Sequence, residues 1–182
     1  MDTERIADFL FEIGTLRNMR RMQSQVLPES QDTIASHSFE VAMIGLLLSK
    51  LEGADENKVM KMCLFHDLAE ARTGDANFVH RFYVQADEEK ALRDQTAGTP
   101  IAEEVSEIIR EYEALETKEA IVAKDADLLD QILVQSATIK NDSDKKLWNE
   151  NSAKGLRTES AKELARSLTE ANPLSWVYKM AG

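Results

Sequence analysis

The sequence predicts an all-α fold, and three observations carry that prediction. Gly and Pro are scarce, 7 and 3 in 182 residues, while Ala, Leu, Glu, Lys, Met and Arg are common, a composition that favours helix over sheet. Apolar residues recur every three or four positions rather than every second one. Helix-opening residues stand ahead of those stretches, as Thr99-Pro100 does with a cap followed by proline at the first helical position. The length suits one compact domain with a single core, residues 1–182, of about eight helices. The chain shows no repeat, linker or low-complexity tract.

Residues 2 to 24 read as one amphipathic helix, with Ile6, Phe9, Leu10, Ile13, Leu16 and Met19 on a stripe and Asp2 or Thr3 as its cap. Its far end is basic for so acidic a chain: Arg17, Arg20 and Arg21 fall within five positions. Cations there would also suit the helix dipole. Leu27-Pro28-Glu-Ser-Gln-Asp-Thr33 is a loop by its proline and polar cluster. It leads to a helix over 33–51 whose buried face is Val41, Ala42, Ile44, Gly45, Leu47 and Leu48, with His37 one turn before Val41. Glu52 to Glu56 form a turn, and Glu56 or Asn57 opens a helix that runs into His66-Asp67 and breaks at Thr73-Gly-Asp75. Ala76 to Tyr83 read as a short helix with His80 on the surface or rim, and Ala86 to Ala97 as a charged one.

A helix from Thr99-Pro100 to Leu115 follows on Ile101, Val105, Ile108 and Ile109. The next, over 117–140, is apolar on two sides and should be central. Asp125 lies on one of its apolar stripes and Asp127 near the other, so periodicity does not choose between them. After the loop 141–145 come a short helix at 146–150, a helix opened by Thr158 or Ser160, and a last one capped by Asn172-Pro173. The apolar residues of that last helix, Leu174, Trp176, Val177 and Met180, should pack on the body or on a partner subunit.

The net charge of −11 excludes the basic footprint that nucleic-acid polymers need, yet leaves room for a small phosphorylated substrate held by a local Arg or Lys cluster. One cysteine, Cys63, excludes an intrachain disulfide and suits a reducing compartment. There is no basic, then apolar, leader pattern at the start and no apolar run near twenty residues. The expectation is a soluble cytoplasmic protein without a membrane partner.

The stretch Met60 to Asp75 holds the chemistry. His66 and Asp67 sit side by side in an apolar run, where an imidazole and a carboxylate are costly unless paired. On a helix Glu70 lies four residues after His66 and three after Asp67, so the three share one patch, and Asp75 adds another carboxylate past the break. The plain reading is a buried His–Asp hydrogen bond. A divalent metal is the other, and the second histidine, His37, favours it.

With His37, His66-Asp67 and Asp127 the chain reproduces an H…HD…D pattern, which resembles the HD-domain superfamily of metal-dependent phosphohydrolases. The resemblance implies an HD-domain helical bundle, with the metal-site core over about residues 16–140 and the helices of 141–182 packed on it. It also selects Asp127 over Asp125 and implies His37, His66, Asp67 and Asp127 as metal ligands. Two imidazoles and two carboxylates suit Mn²⁺, Co²⁺, Fe²⁺, Zn²⁺ or Ni²⁺ better than Mg²⁺. One ion is expected, because only His80 is left over. Phosphomonoester hydrolysis further needs a carboxyl group to manage protons and cations on the phosphate oxygens. Glu70 and Asp75 are the catalytic candidates; Arg20 and Arg21 are the substrate-binding ones.

Within the superfamily, Leu16-Arg-x-x-x-Arg21, Pro28-Glu-Ser, Ile34-Ala-Ser-His37-Ser, Phe65-His-Asp-Leu-Ala-Glu70 with Gly74-Asp75, Glu111-Tyr-Glu113 and Ala126-Asp127-Leu-Leu-Asp look like the YfbR-like 5′-deoxynucleotidases, the HD domain-containing 2 group. That group implies release of phosphate from deoxynucleoside 5′-monophosphates and a homodimer, with Arg21 on the phosphate. Two departures fall on the nucleotide side: Met22 stands where the group often has Trp, and the loop before His37 is longer than usual. Two other readings stand beside this one. The chain would act on another small phosphorylated metabolite or as a phosphodiesterase, or it would be a non-catalytic helical module that binds a metal or nucleotide. Intact Glu70 and Asp75 weigh against the last.

Overall fold

A computed structural model describes residues 2–27 and 29–181; Pro28 of the expected loop lies outside the described residues. The chain runs α1 (Thr3–Ile13), a 3₁₀ turn (Gly14–Asn18), α2 (Met22–Val26), α3 (Ile34–Glu52), α4 (Glu56–Phe65), α5 (Glu70–Thr73), a 3₁₀ turn (His80–Phe82), α6 (Glu88–Thr96), α7 (Ala102–Ala114), α8 (Lys118–Thr138), α9 (Asp142–Ala153), α10 (Glu159–Glu170) and α11 (Ser175–Met180). Eight of these helices have seven or more residues, and no strand occurs among the described residues. The all-α expectation holds.

Caps follow the residue chemistry. Asp2, Thr33, Asp55, Thr117 and Thr158 each accept a backbone N–H from the first turn that follows, meeting donors that the helix itself leaves unpaired. Helix α3 ends at Gly53 with φ +64°, the left-handed conformation in which glycine has no steric penalty.

The expected single helix over 2–24 is instead three pieces. It leaves α geometry at Gly14, and the extended backbone at Arg20 bridges to Thr33. That break turns the Arg21 side chain inward, which a continuous helix would not do. Helix α7 begins two residues later than Pro100, after a turn at Thr99–Ile101, and α9 extends well beyond the expected 146–150.

The core is centred on α8, which packs against α3, α4, α7, α9 and α10. One apolar cluster joins Val41, Leu48, Val59, Met62, Ala126 and Leu129; a second joins Phe9, Leu16, Ile34, Leu68, Leu92 and Val105 over the N-terminal side. Gly45 sets how closely α3 and α4 approach: a Cβ there would stand 2.7 Å from Cys63 Sγ and 3.0 Å from Val59 Cγ1. Leu47, expected in the core, is exposed, as are Phe39, Met43 and Leu51 at four-residue spacing on the same helix. Leu10 of α1 is exposed as well. By length and composition α3 is apolar enough to cross a membrane, contrary to the sequence expectation. Here it is a core helix packed on α4 and α8, with His37 and Ser49 buried in it. The apolar residues of α11 lie exposed rather than packed on the body.

Candidate metal centre

Four elements meet at one end of the bundle. His37 comes from the first turn of α3, and Asp127 from α8, three turns into that helix. His66 caps α4, and Asp67 and Glu70 lie on the tight turn after it, with Glu70 N donating to Asp67 O at 3.1 Å. The helix expected through this stretch is interrupted there. Gly74, at φ +74°, then reverses the chain so that Asp75 returns to the same point.

The hydrogen bonds on the far side of each imidazole fix its tautomer. His66 Nδ1 lies 2.8 Å from the Cys63 carbonyl, which only accepts, so Nδ1 carries the proton. His37 Nδ1 lies 2.6 Å from Asp130 Oδ2 and donates to that carboxylate. Each neutral ring therefore points an Nε2 lone pair inward, and the two Nε2 atoms face each other at 3.1 Å. Two lone pairs at that distance repel unless a cation lies against them. Without a metal the cation is a proton: despite the burial that opposes charge, Asp127, Asp130 and Asp67 hold the His37 pKa well above the usual histidine value. The donor atoms of His37, His66 and Asp127 lie within 4.8 Å of one another. Asp67 Oδ2 is 3.4 Å and 3.3 Å from the two Nε2 atoms, and Asp127 Oδ1 is buried without a hydrogen-bond partner among the described residues. This donor set fits a divalent ion with His37, His66, Asp67 and Asp127 around it.

Asp125 is elsewhere. It is fully buried and accepts from Arg157 N, Thr158 N and Thr158 Oγ1 at 2.9, 2.8 and 2.7 Å, fastening the start of α10 to α8. Only Asp127 faces the histidines, and Lys124 Nζ donates to its second oxygen at 2.7 Å.

Of the two arginines, Arg21 alone reaches the cluster. Its Nη1 donates to Asp67 Oδ2 at 2.8 Å and Asp75 Oδ2 at 2.7 Å, and lies 3.9 Å from Glu70 Oε2. Arg20 lies exposed, its backbone bridged to Thr33 and its side chain donating to Gln31, so the structure does not bring it to the cluster. His80 is exposed on its 3₁₀ turn, as expected. Asp75 Oδ1 and Glu70 Oε2 are buried and unpaired among the described residues.

The carboxylates divide into two kinds. Burial opposes ionisation of Asp67, but His66, His37 and Arg21 hold it well below the usual carboxylate range. Asp127, equally buried, is held low by His37 and Lys124. Burial, together with the neighbouring Asp67 and Asp75 charges, pushes Glu70 up to about 9. Two contributors were visible in the sequence only as letters of a motif. Asp130 orients His37, one helical turn along α8 from Asp127. Tyr112, whose ring lies 5.6 Å from that of His66, walls the site with its hydroxyl unpaired among the described residues.

Comparisons with known proteins agree with this geometry. A family model described as HD domain matches residues 13–169. The 5′-deoxynucleotidase HDDC2 of Dictyostelium discoideum is 29% identical over 144 residues, covering 69% of this chain and 73% of that protein. A conserved hypothetical protein of Pyrococcus furiosus, 28% identical, superposes with a TM-score of 0.72 over 91% of this chain and 99% of its own. A structure from Magnetospirillum magnetotacticum described as a predicted metal-dependent phosphohydrolase, 24% identical, shares the fold with a TM-score of 0.70 over 92% and 91% of the two chains.

Proposed function

Because the chain belongs to the HD domain family of metal-dependent phosphohydrolases, we propose that it is a 5′-deoxynucleotidase that releases phosphate from deoxynucleoside 5′-monophosphates. The observation that carries the reading is the convergence of two inward Nε2 lone pairs and two low-pKa carboxylates on one point, with a buried guanidinium and a buried, protonatable carboxyl beside it. A divalent ion held by His37, His66, Asp67 and Asp127 supplies Lewis acidity toward a phosphoryl oxygen and lowers the pKa of water.

The chain's own groups do the rest. Arg21 places a fixed positive charge where the non-bridging oxygens of the phosphate develop charge. Its guanidinium now bridges Asp67 and Asp75, so substrate binding exchanges a carboxylate partner for a phosphate. Glu70, with Oε2 unpaired, takes a proton from the attacking water. Its pKa of about 9 belongs to the protein without an ion; a nearby cation brings it down toward the working pH. Asp75, held by Arg21 and by Met22 N at 2.8 Å, keeps Oδ1 free for the leaving oxygen or the sugar. Asp130 holds His37 in the tautomer that presents Nε2.

The reading includes a homodimer, for which the exposed stripe of Phe39, Met43, Leu47 and Leu51 on α3 offers apolar surface to a second copy. It also includes a cytoplasmic location, in keeping with the free thiol of Cys63. The deciding experiment is phosphate release from a panel of deoxynucleoside monophosphates, nucleoside monophosphates and simple phosphomonoesters, with Mn²⁺, Co²⁺, Fe²⁺, Zn²⁺, Ni²⁺ or Mg²⁺ added to chelator-treated protein. Metal-dependent turnover that favours the deoxynucleotides is the expected result. Turnover only of other phosphoesters would move the chain to another substrate, and no turnover with any ion would leave a binding module.

A further inference from the structure

We propose that Asp32, Glu40 and Asp130, on the outer side of His37, hold a second divalent cation of the hard, oxygen-preferring kind, Ca²⁺ foremost, and that this ion clamps the segment carrying Arg21 onto the bundle. The site is separate from the groups assigned to the reaction, and it stands whatever the substrate is.

Three segments far apart in sequence deliver the carboxylates. Asp32 ends the loop before α3, Glu40 follows His37 by three residues on α3 and so shares its face, and Asp130 comes from α8. The donor atoms of Asp32, His37 and Asp130 lie within 4.8 Å of one another. His37 is not itself a ligand here, because its Nδ1 carries the proton given to Asp130 Oδ2. Glu40 takes its place, with its carboxyl within hydrogen-bonding reach of Asp130. The donors are then all carboxylate oxygens, the set that hard cations take and that offers nitrogen-seeking ions no imidazole.

Negative charge is left over at this point. Asp130 is 1% exposed. With Oδ2 on His37, its Oδ1 is buried without a hydrogen-bond donor among the described residues. Asp32 gives one oxygen to Ser36 Oγ, and among the described residues no Lys or Arg pairs with Asp32, Glu40 or Asp130. Burial and the neighbouring Asp130 and Asp32 push Glu40 up to about 7. Two carboxyl groups in contact need a cation between them, and a proton can serve. A proton, however, joins two oxygens and leaves the third carboxylate facing them, whereas a divalent ion satisfies all three. Asp32 and Glu40 are half-buried, so an ion can enter from solvent and keep waters in the rest of its oxygen shell.

The effect follows from what else Asp32 holds. Its carbonyl accepts from Arg21 N at 3.1 Å and from Ser24 Oγ at 3.0 Å. Fixing Asp32 to α3 and α8 therefore fixes the backbone from which Arg21 reaches Asp67 and Asp75. The same ion steadies Asp130 behind His37.

The test titrates Ca²⁺ into protein carrying one equivalent of Zn²⁺, followed by calorimetry and, separately, by amide hydrogen exchange. One Ca²⁺ per chain should bind with a Kd of about 0.1 mM while the Zn²⁺ stays bound, and the Arg21 amide should exchange about tenfold more slowly with Ca²⁺ than without it. Glu40→Gln and Asp32→Asn should each weaken Ca²⁺ binding at least about tenfold and abolish the slowing, with Zn²⁺ content unchanged. Glu70→Gln should leave Ca²⁺ binding within about twofold. No uptake of Ca²⁺ at about 10 mM, a hundred times that Kd, or native binding in both Glu40→Gln and Asp32→Asn, would overturn the site and leave a proton shared by Glu40 and Asp130. Binding lost in Glu70→Gln but kept in Glu40→Gln would put the ion in the reaction centre and overturn it as well. Binding at Glu40 without slower exchange at Arg21 would overturn the clamp.

Discussion

Asp125 and Asp127 are two residues apart, both are buried, and the structure gives them unrelated tasks, so exchanging each for alanine should break different things. Asp125→Ala strands three donors, Arg157 N, Thr158 N and Thr158 Oγ1, that now lie 2.7–2.9 Å from its carboxylate. Each buried donor left unpaired costs about 1–3 kcal/mol. Water can enter at the start of α10, so the sum should settle at about 3–5 kcal/mol, a large part of an ordinary domain's 5–15 kcal/mol of stability. Asp125→Asn keeps one acceptor oxygen and should lose roughly half as much. Asp127→Ala leaves those donors paired and removes a carboxylate from between the two histidines, so it should keep its fold and lose the ion. Urea unfolding read by circular dichroism gives the first quantity, and metal content after dialysis against limiting Mn²⁺ gives the second. A stability loss under about 1 kcal/mol in Asp125→Ala, or loss of metal from folded Asp125→Asn equal to that from Asp127→Ala, would refute the division of labour.

Glu70→Ala should bind metal as the native chain does and release phosphate at least a hundredfold more slowly; full turnover would remove Glu70 from the mechanism. In metal-free protein Glu70 keeps a proton up to about pH 9 that the unfolded chain gives up near 4.5, so stability should fall as pH rises through that window. Glu70→Gln should flatten this dependence in a series of urea melts, and an unchanged slope would refute the assignment. Asp130→Asn removes the carboxylate that fixes the His37 tautomer and should weaken metal binding about 10- to 100-fold, as titration calorimetry would show. Affinity within about twofold of the native chain would make Asp130 a packing residue only.

Much of the site was legible along the chain because chemically costly residues stand out against apolar ones. His66-Asp67 in a run of Met, Cys, Leu and Phe needed an explanation that His37 supplied, and Glu70 and Asp75 followed within ten residues. The helical class and the caps at Thr117 and Thr158 were equally local. The N-terminal helix was misread because Ile13, Leu16 and Met19 keep three-residue spacing through the 3₁₀ turn, so the apolar stripe runs on past the break. Leu10 and Leu47 lie on apolar stripes yet face outward, because a stripe shows that a helix has an apolar side but not how wide a neighbour covers it.

The sequence by itself determined what depends on near neighbours: where helices start, which residues are too polar to bury alone, and the pairing of a histidine with an aspartate. Periodicity left open which of Asp125 and Asp127 meets the histidines and which of Arg20 and Arg21 turns inward; the family resemblance pointed to Asp127 and Arg21, and the tertiary structure brings both to the histidines and sets Asp130 behind His37. Residues one or two apart on a helix or strand point in very different directions. The choice among them is therefore made by the rotation of α8 against α3 and α4, and by the bridge from Arg20 to Thr33. Both are contacts between segments far apart in sequence, which local periodicity does not encode.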